Sequence, residues 1–301
     1  MADARLDPFT GRWVILAPGR AQRPDTIAQH VRRDEDAIPR DRGDCPFCPG
    51  NEHLTPPEIT RTGPGAAGAP GWRTRVFPNR YPIVEGPRTT PDPGGDRLRV
   101  GGAASGAHEV LVLSPDHRRS LADLDSDRVV EVLTVMRDRA RFHATTGRTF
   151  TQVIVNHGVE GGASLSHPHA QIIASDLEPS AVLDEAARIA TADGCLVCAE
   201  LERHRDDPAL VVAATEVDVW CPWWSGTAFE MVVAPRLHRP RFEDADEELS
   251  TLGELLRDGL ARLDRALDDP PYNLAIHSLP SSVAADYHWH IHVWPRLQRE
   301  A

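Results

Sequence analysis

The sequence predicts an α+β protein made of two tandem halves, each an antiparallel sheet with a packed helix. Three observations carry that expectation. A long stretch recurs at a fixed spacing, each copy runs from an amphipathic helical pattern into two short β-like stretches, and each half has its own Cys-x-x-Cys pair.

The recurrence is read by subtraction. Glu109-Val-Leu-Val-Leu-Ser-Pro-Asp-His117 resembles Glu230-Met-Val-Val-Ala-Pro-Arg-Leu-His238, and both end residues differ by 121 (Glu230 minus Glu109, His238 minus His117). The same 121 separates His277 from Asn156, His288 from His167 and His290 from His169. An offset held without a gap over roughly 60 residues is the mark of an internal duplication. The cysteine pairs differ by 150 (Cys195 minus Cys45), so the first half holds 29 extra residues (150 minus 121). The Gly- and Pro-rich stretches 62–71 and 89–95 are expected to contain them, as mobile loops.

Within each copy the elements follow in the same order. Val129, Val130, Leu133 and Met136 have the three-to-four-residue spacing of a helix lying on a core, and so do Leu249, Leu252, Leu256, Leu260 and Leu263. The β-like stretches are 152–156 with 169–173, and 273–277 with 290–294. The halves are expected to join near residues 176–190, giving one domain over 1–178 and a second over 179–301.

Composition narrows the function classes. With 301 residues, 41% hydrophobic and 26% charged, the chain is long enough for a sizeable core and ordinary for a globular protein. A formal net charge of −12 opposes a nucleic-acid-coating role, which needs a basic face. No apolar run approaches the roughly 18 residues of a membrane span. The start, Met1-Ala-Asp-Ala-Arg-Leu-Asp, does not read as a signal peptide, and a cytoplasmic location is expected.

Four of the five cysteines form the pairs Cys45/Cys48 and Cys195/Cys198. In a reducing compartment such pairs favour metal binding over disulfides. Each pair recurs with a histidine before the helix and one after it. This gives Cys45, Cys48, His117 and His167 in the first half, and Cys195, Cys198, His238 and His288 in the second. Two thiolates and two imidazoles form a closed, structural zinc set. Around the second set Glu185, His277, His290 and His292 offer a different metal site, and the sequence leaves that choice open.

The segment Gly161-Gly-Ala-Ser-Leu-Ser-His-Pro-His-Ala-Gln171 is of another kind. Small residues let a backbone approach a ligand closely, and successive N–H groups can cradle phosphate oxygens. His167 and His169, two apart on a strand, share a face. With His167 tied to zinc, His169 would stand beside the cradle as a nucleophile toward phosphorus, and Gln171 could donate a hydrogen bond to a phosphoryl oxygen. The alternative is that both histidines are metal ligands.

Taken together, Gly19-Arg-Ala-Gln-Arg-Pro24, Cys45-Pro-Phe-Cys48, Phe77-Pro-Asn79, Ser114-Pro-Asp-His117, the Asn156 strand and His-Pro-His-x-Gln resemble the galactose-1-phosphate uridylyltransferase family. That family is a double-domain branch of the histidine triad superfamily. The resemblance implies two histidine-triad-like domains and carbohydrate metabolism. It also implies transfer of a nucleoside monophosphate between an NDP-sugar and a sugar 1-phosphate through a covalent nucleotidyl-histidine, with UDP-glucose and a hexose 1-phosphate as the leading pair. It assigns His169 as nucleophile and Gln171 as its support, Asn156 and Ser164 to the phosphate, Arg20 and Arg23 to the phosphates or sugar phosphate, and Asn79 to the nucleotide. It implies a homodimer, which exposed strand edges also suggest.

Two departures from the usual uridylyltransferase pattern leave the base and the sugar open. Ala170 replaces a glycine usual in uridylyltransferases, and the second pair Cys195/Cys198 is associated more with ADP-sugar phosphorylase-like relatives. The alternatives are therefore an ADP-sugar or dinucleotide phosphorylase or adenylyltransferase, a histidine-triad hydrolase, and a zinc-stabilised nucleotide-binding protein without turnover. His288-Trp-His-Ile-His-Val-Trp294 has the triad pattern but no Gly/Ser cradle before it, so the second half is expected to be a non-catalytic, metal-stabilised copy.

Overall fold

The computed structural model of the chain describes residues 2–6, 13–16, 42–88, 98, 100–204 and 209–297. A small sheet in the order β2-β1-β5 joins β1 (Asp3–Leu6), β2 (Trp13–Leu16) and β5 (Gly101–Ala103). The rest of the first half comprises β3 (Thr60–Thr62), β4 (Thr74–Pro78), β6 (Gly106–Val112), helix α1 (Ser126–Thr145), β7 (Phe150–His157) and β8 (His169–Ser175). Then follow α2 (Ser180–Thr191), α3 (Leu196–Arg203), β9 (Leu210–Ala213), β10 (Val217–Trp220), β11 (Met231–Pro235), α4 (Leu249–Leu267), β12 (Tyr272–His277) and β13 (His290–Pro295).

The two antiparallel sheets expected from the sequence are fused into one. Its order, β3-β4-β6-β8-β7-β12-β13-β11-β10-β9, reads the same outward from the β7–β12 seam in either direction. At that seam Ile154 pairs with Ala275, and these numbers differ by 121, so a residue faces its own counterpart. A local two-fold axis at this pair would produce that pattern. The offset also holds between β12 and β13, where Tyr272 faces Pro295 as Thr151 faces Ala174 in the first half. It fails by one residue at β11. Val112 faces His169, but Val233 faces Ile291 and not His290. The slip follows Phe229, whose φ of 62° lies in the left-handed region that side chains rarely adopt.

Strand periodicity sorts the side chains onto two faces. Val153, Val155, Ala170, Ile172, Leu274, Ile276, Ile291 and Val293 form one buried face, covered by α1 and α4. The helices contribute the apolar positions read from the sequence, Val129, Leu133 and Met136 with Leu252, Leu256 and Leu260. Burial of each such leucine stabilises the fold by about 1.5–3 kcal/mol. The helices themselves approach closely at Gly253, where an added Cβ would lie 2.5 Å from Val130 Cγ2 and 2.9 Å from its backbone nitrogen. The opposite face carries His108, Asn156, His169, Gln171, Asn273, His277, His290 and His292, since cross-strand partners share a face.

The Gly/Pro-rich stretch 62–71 is a shaped hairpin loop between β3 and β4. Arg61 donates to the carbonyls of Pro64, Ala66 and Ala69, and Gly63, Gly65 and Gly71 take positive φ. The stretch 89–95 lies outside the described residues. After β8, α2 buries Val182, Ala186 and Ile189 against Phe150, Leu279 and Tyr287.

Candidate active site and metal centres

The first Cys-x-x-Cys is a backbone knuckle. Cys45 N donates to Arg42 O (3.0 Å) and Cys48 N to Cys45 O (3.2 Å), while Asn51 Nδ2 ties the carbonyls of Arg42, Gly43 and Cys45 at 3.3, 3.2 and 2.9 Å. His117 arrives from the loop after β6 and His167 from just before β8. Cys48 Sγ lies 3.4 Å from His117 Nδ1 and 3.5 Å from His167 Nδ1, and Cys45 Sγ lies 3.7 Å from His167 Nδ1. All four donor atoms fall within 4.8 Å of one another, and all four residues are buried.

The surroundings of this group suit a cation. His167 Nε2 donates to Ser114 O at 2.7 Å and His117 Nε2 meets Ser166 Oγ at 2.9 Å, so Nδ1 of each ring is turned to the sulfurs. Burial holds His167 neutral, down to about 3, and pushes the Cys45 thiol up. A divalent ion would supply the charge that makes two buried thiolates tolerable.

Cys195, Cys198, His238 and His288 form a second group within the same 4.8 Å limit. Cys198 Sγ is 3.3 Å from His238 Nδ1 and 3.4 Å from His288 Nδ1. Burial and the adjacent Cys195 push the Cys198 thiol up to about 12. This group is more open, with the His238 side chain 34% exposed and its Nε2 on Asp286 Oδ1 at 3.2 Å.

The competing set named from the sequence is a separate place. His277, His290 and His292 also converge within 4.8 Å. Glu185 on α2 holds His277 Nδ1 at 2.9 and 3.0 Å and accepts from Tyr287 Oη at 2.6 Å; His292 Nε2 bonds Glu230 Oε1 at 2.6 Å. Burial lowers His290 to about 4 and His292 to about 3, keeping both rings neutral. The two sets share no residue, so neither excludes the other.

His169 opens β8, buried, with its ring centroid 5.3 Å from that of Phe47 in an edge-on arrangement. Its Nδ1 lies 2.9 Å from His167 O. A carbonyl only accepts, so Nδ1 carries the proton and Nε2 keeps its lone pair. His169 and Asn156 line one pocket with Gly158, Ala163, Ser166 and Tyr272. Ser164 lies on the same loop, between the lining residues Ala163 and Leu165. Gly161 in that loop admits no side chain, because a Cβ would stand 2.1 Å from His157 O and 2.7 Å from Tyr272 O.

Gln171 is held by a residue the sequence reading missed. His108 Nδ1 accepts from Ile83 N–H at 3.1 Å, so its Nε2 carries the proton and donates to Gln171 Oε1 at 3.0 Å. That leaves the Gln171 NH2 as the donor end. Nothing along β6, where His108 stands next to a second buried polar residue, Glu109, points to that contact. Asn79 is fixed beside it: its N donates to His108 O at 2.7 Å and its Oδ1 accepts from Tyr81 N at 2.9 Å. Arg20 and Arg23 lie outside the described residues.

Comparison with known proteins shows the family. Residues 1–179 match the family model described as galactose-1-phosphate uridyl transferase, N-terminal domain. ADP-glucose phosphorylase of Arabidopsis thaliana is 31% identical, over 98% of this chain and 84% of that protein. Galactose-1-phosphate uridylyltransferase of Haemophilus influenzae is 26% identical, over 99% and 84%. Among solved structures, a uridylyltransferase superposes with a TM-score of 0.76 at 26% identity (97% and 86% covered). ADP-glucose phosphorylase from Arabidopsis thaliana with bound ADP-glucose gives 0.72 at 27% (100% and 91%). Among the described residues no helix is long and apolar enough to cross a membrane.

Proposed function

The chain belongs to the galactose-1-phosphate uridylyltransferase family, and from that premise we propose that it moves a nucleoside monophosphate from an NDP-sugar to a sugar 1-phosphate through His169. The observation that carries this is the His169 Nδ1–His167 O contact of 2.9 Å, which in the neutral ring puts the lone pair on Nε2, on a residue that lines a pocket with Asn156. Nε2 attacks the α-phosphorus, the bond to the bridging oxygen breaks, and sugar 1-phosphate leaves with that electron pair. A phosphate oxygen of the acceptor then attacks the same phosphorus, the P–N bond breaks, and His169 is restored. Gln171 and Asn156 would offer N–H donors to the phosphoryl oxygens, with Ser164, Asn79, Arg20 and Arg23 contributing to nucleotide and sugar phosphate. UDP-glucose with a hexose 1-phosphate is the leading substrate pair.

A second reading, phosphorolysis of an ADP-sugar, is favoured by the 31% identity to an ADP-glucose phosphorylase. The chemistry at His169 is the same and inorganic phosphate is the acceptor. Zinc is the proposed ion for Cys45/Cys48/His117/His167 and for Cys195/Cys198/His238/His288, where four soft and borderline donors make a closed, structural set. The ion would brace the strand entry that carries His169. We divide the chain into domains near residues 178/179, with the second half the non-catalytic copy, and read the protein as a cytoplasmic homodimer. Support for the dimer is that, among the described residues, β3 and β9 end the sheet with no further strand beside them.

Intact-mass analysis after mixing with UDP-glucose, ADP-glucose or a GDP-sugar tests the proposal. One nucleoside monophosphate adduct is expected, absent in His169→Ala, and discharged by a sugar 1-phosphate or by phosphate. No adduct from any donor, or turnover by His169→Ala, would sink it.

A further inference from the structure

Asn273, on β12 in the second half, stands between three polar groups. Its Nδ2 lies 2.9 Å from Asn156 Oδ1 and 2.6 Å from Gly161 O, and its Oδ1 is 2.6 Å from Arg296 Nε. A guanidinium has only donors, so the end of the Asn273 amide facing Arg296 has to be its oxygen. The NH2 is thereby turned the other way, one hydrogen for Asn156 and one for the Gly161 carbonyl. Asn156 in turn has to present its oxygen to that NH2, and its own NH2 becomes the end left for a ligand. Polarity set at Arg296 passes through two amides to the pocket. The backbone supports the same geometry, because Asn273 and Asn156 are cross-strand partners at the β7–β12 seam. The second contact bears on the cradle, since at Gly161 the loop packs against backbone on both seam strands, with an added Cβ 2.1 Å from His157 O and 2.7 Å from Tyr272 O.

We propose that Asn273, oriented by Arg296, is a positioning residue for nucleotidyl transfer: it holds Asn156 with its amide donor toward the transferred phosphoryl group and pins the Gly161 loop beside it. This rests on the reading in which Asn156 meets that phosphate. It gives the half without a phosphate cradle a part in the reaction, through the seam strand.

Asn273→Asp is the sharpest test. The carboxylate keeps its bond to Arg296 but offers only acceptors to Asn156 and Gly161, so Asn156 reverses and presents oxygen to an anionic ligand. The rate of nucleotidyl-His169 formation is followed by rapid quench and intact mass over a range of donor concentrations. The maximal rate is expected to fall on the order of 10- to 100-fold, as misplacement of a reacting geometry does, with the half-saturating concentration near wild type. Adding Asn156→Ala to Asn273→Asp should cost nothing further. If Asn273→Asp melts far below wild type, Arg296→Met replaces it and the same slowing is expected. A wild-type rate in the folded variant, or losses that multiply in the double variant, overturns the proposal. Slow Asn156→Ala with fast Asn273→Asp sinks the proposal alone. A wild-type rate in Asn156→Ala removes the role of Asn156 itself, and the proposal with it.

Discussion

His169 donates its Nδ1–H to the main-chain carbonyl of His167 across 2.9 Å, so the proposed nucleophile takes its tautomer from the backbone of a proposed metal ligand. His290 stands in the same relation to His288 at 3.1 Å. The two rings differ in what faces them. Asn156 lies beside His169 on the sheet, whereas His277 and His292 crowd His290, with ring centroids 4.9 and 6.2 Å away. The same backbone device therefore stands beside the proposed phosphate pocket in one half and beside a cluster of nitrogen donors in the other.

If His167 holds a metal ion and His169 is the nucleophile, as proposed, the link between them would make metal loss a catalytic event in the first half. Cys48→Ser is expected to release metal, measured by elemental analysis, and to slow adduct formation by about 10- to 100-fold. Cys198→Ser also releases metal and lowers the melting temperature, with a smaller effect on adduct formation. Equal slowing in both variants would contradict the assignment of His167 as the brace for His169.

Gln171 depends on His108 for its orientation. His108→Ala removes the donor 3.0 Å from Gln171 Oε1 and should lower kcat by about 10- to 100-fold, the scale of losing a partner that orients a working group, with KM little changed. His108→Gln retains an N–H donor and should recover most of the loss. Identical kinetics for the two variants would mean that the contact is only structural.

Acid stability carries a contribution from Glu109. Burial alone would raise its pKa, but hydrogen bonds and charge from His143 and Arg139 outweigh that and hold it below its ordinary 4.5. A carboxylate depressed in the fold contributes its full stabilisation above 4.5 and loses it as the pH falls through the lower folded value. Glu109→Gln should therefore flatten the fall of denaturation midpoint below that pH while lowering stability at neutral pH. An unchanged acid limb in urea unfolding would refute this.

The α1–α4 contact has no room at Gly253. Gly253→Leu would force atoms against Val130, where even a Cβ meets the backbone nitrogen at 2.9 Å, and should destabilise by about 1–3 kcal/mol in chemical denaturation. A stability equal to wild type would show that the helices slide apart without cost.

Much of the site was readable before folding was considered. His117, His167, His238 and His288 came from a repeated spacing, and the structure brings each to its cysteine pair. His108, Asn273 and Arg296 were not readable, because nothing in their neighbours along the chain marks them. His108 meets Gln171 from 63 residues away and Asn273 meets Asn156 from 117, through strand pairings that local pattern does not encode.

Residue types and spacing sufficed for the α+β class, the two similar halves, the thiolate–imidazole groups and the His-Pro-His segment, since periodicity and donor chemistry are local properties of the chain. The single ten-stranded sheet, the one-residue slip at β11 and the coexistence of two donor groups in the second half depended on which strands lie side by side. So did the direction of each amide, because a side chain's polarity is set by the partners that the completed sheet brings within hydrogen-bonding reach.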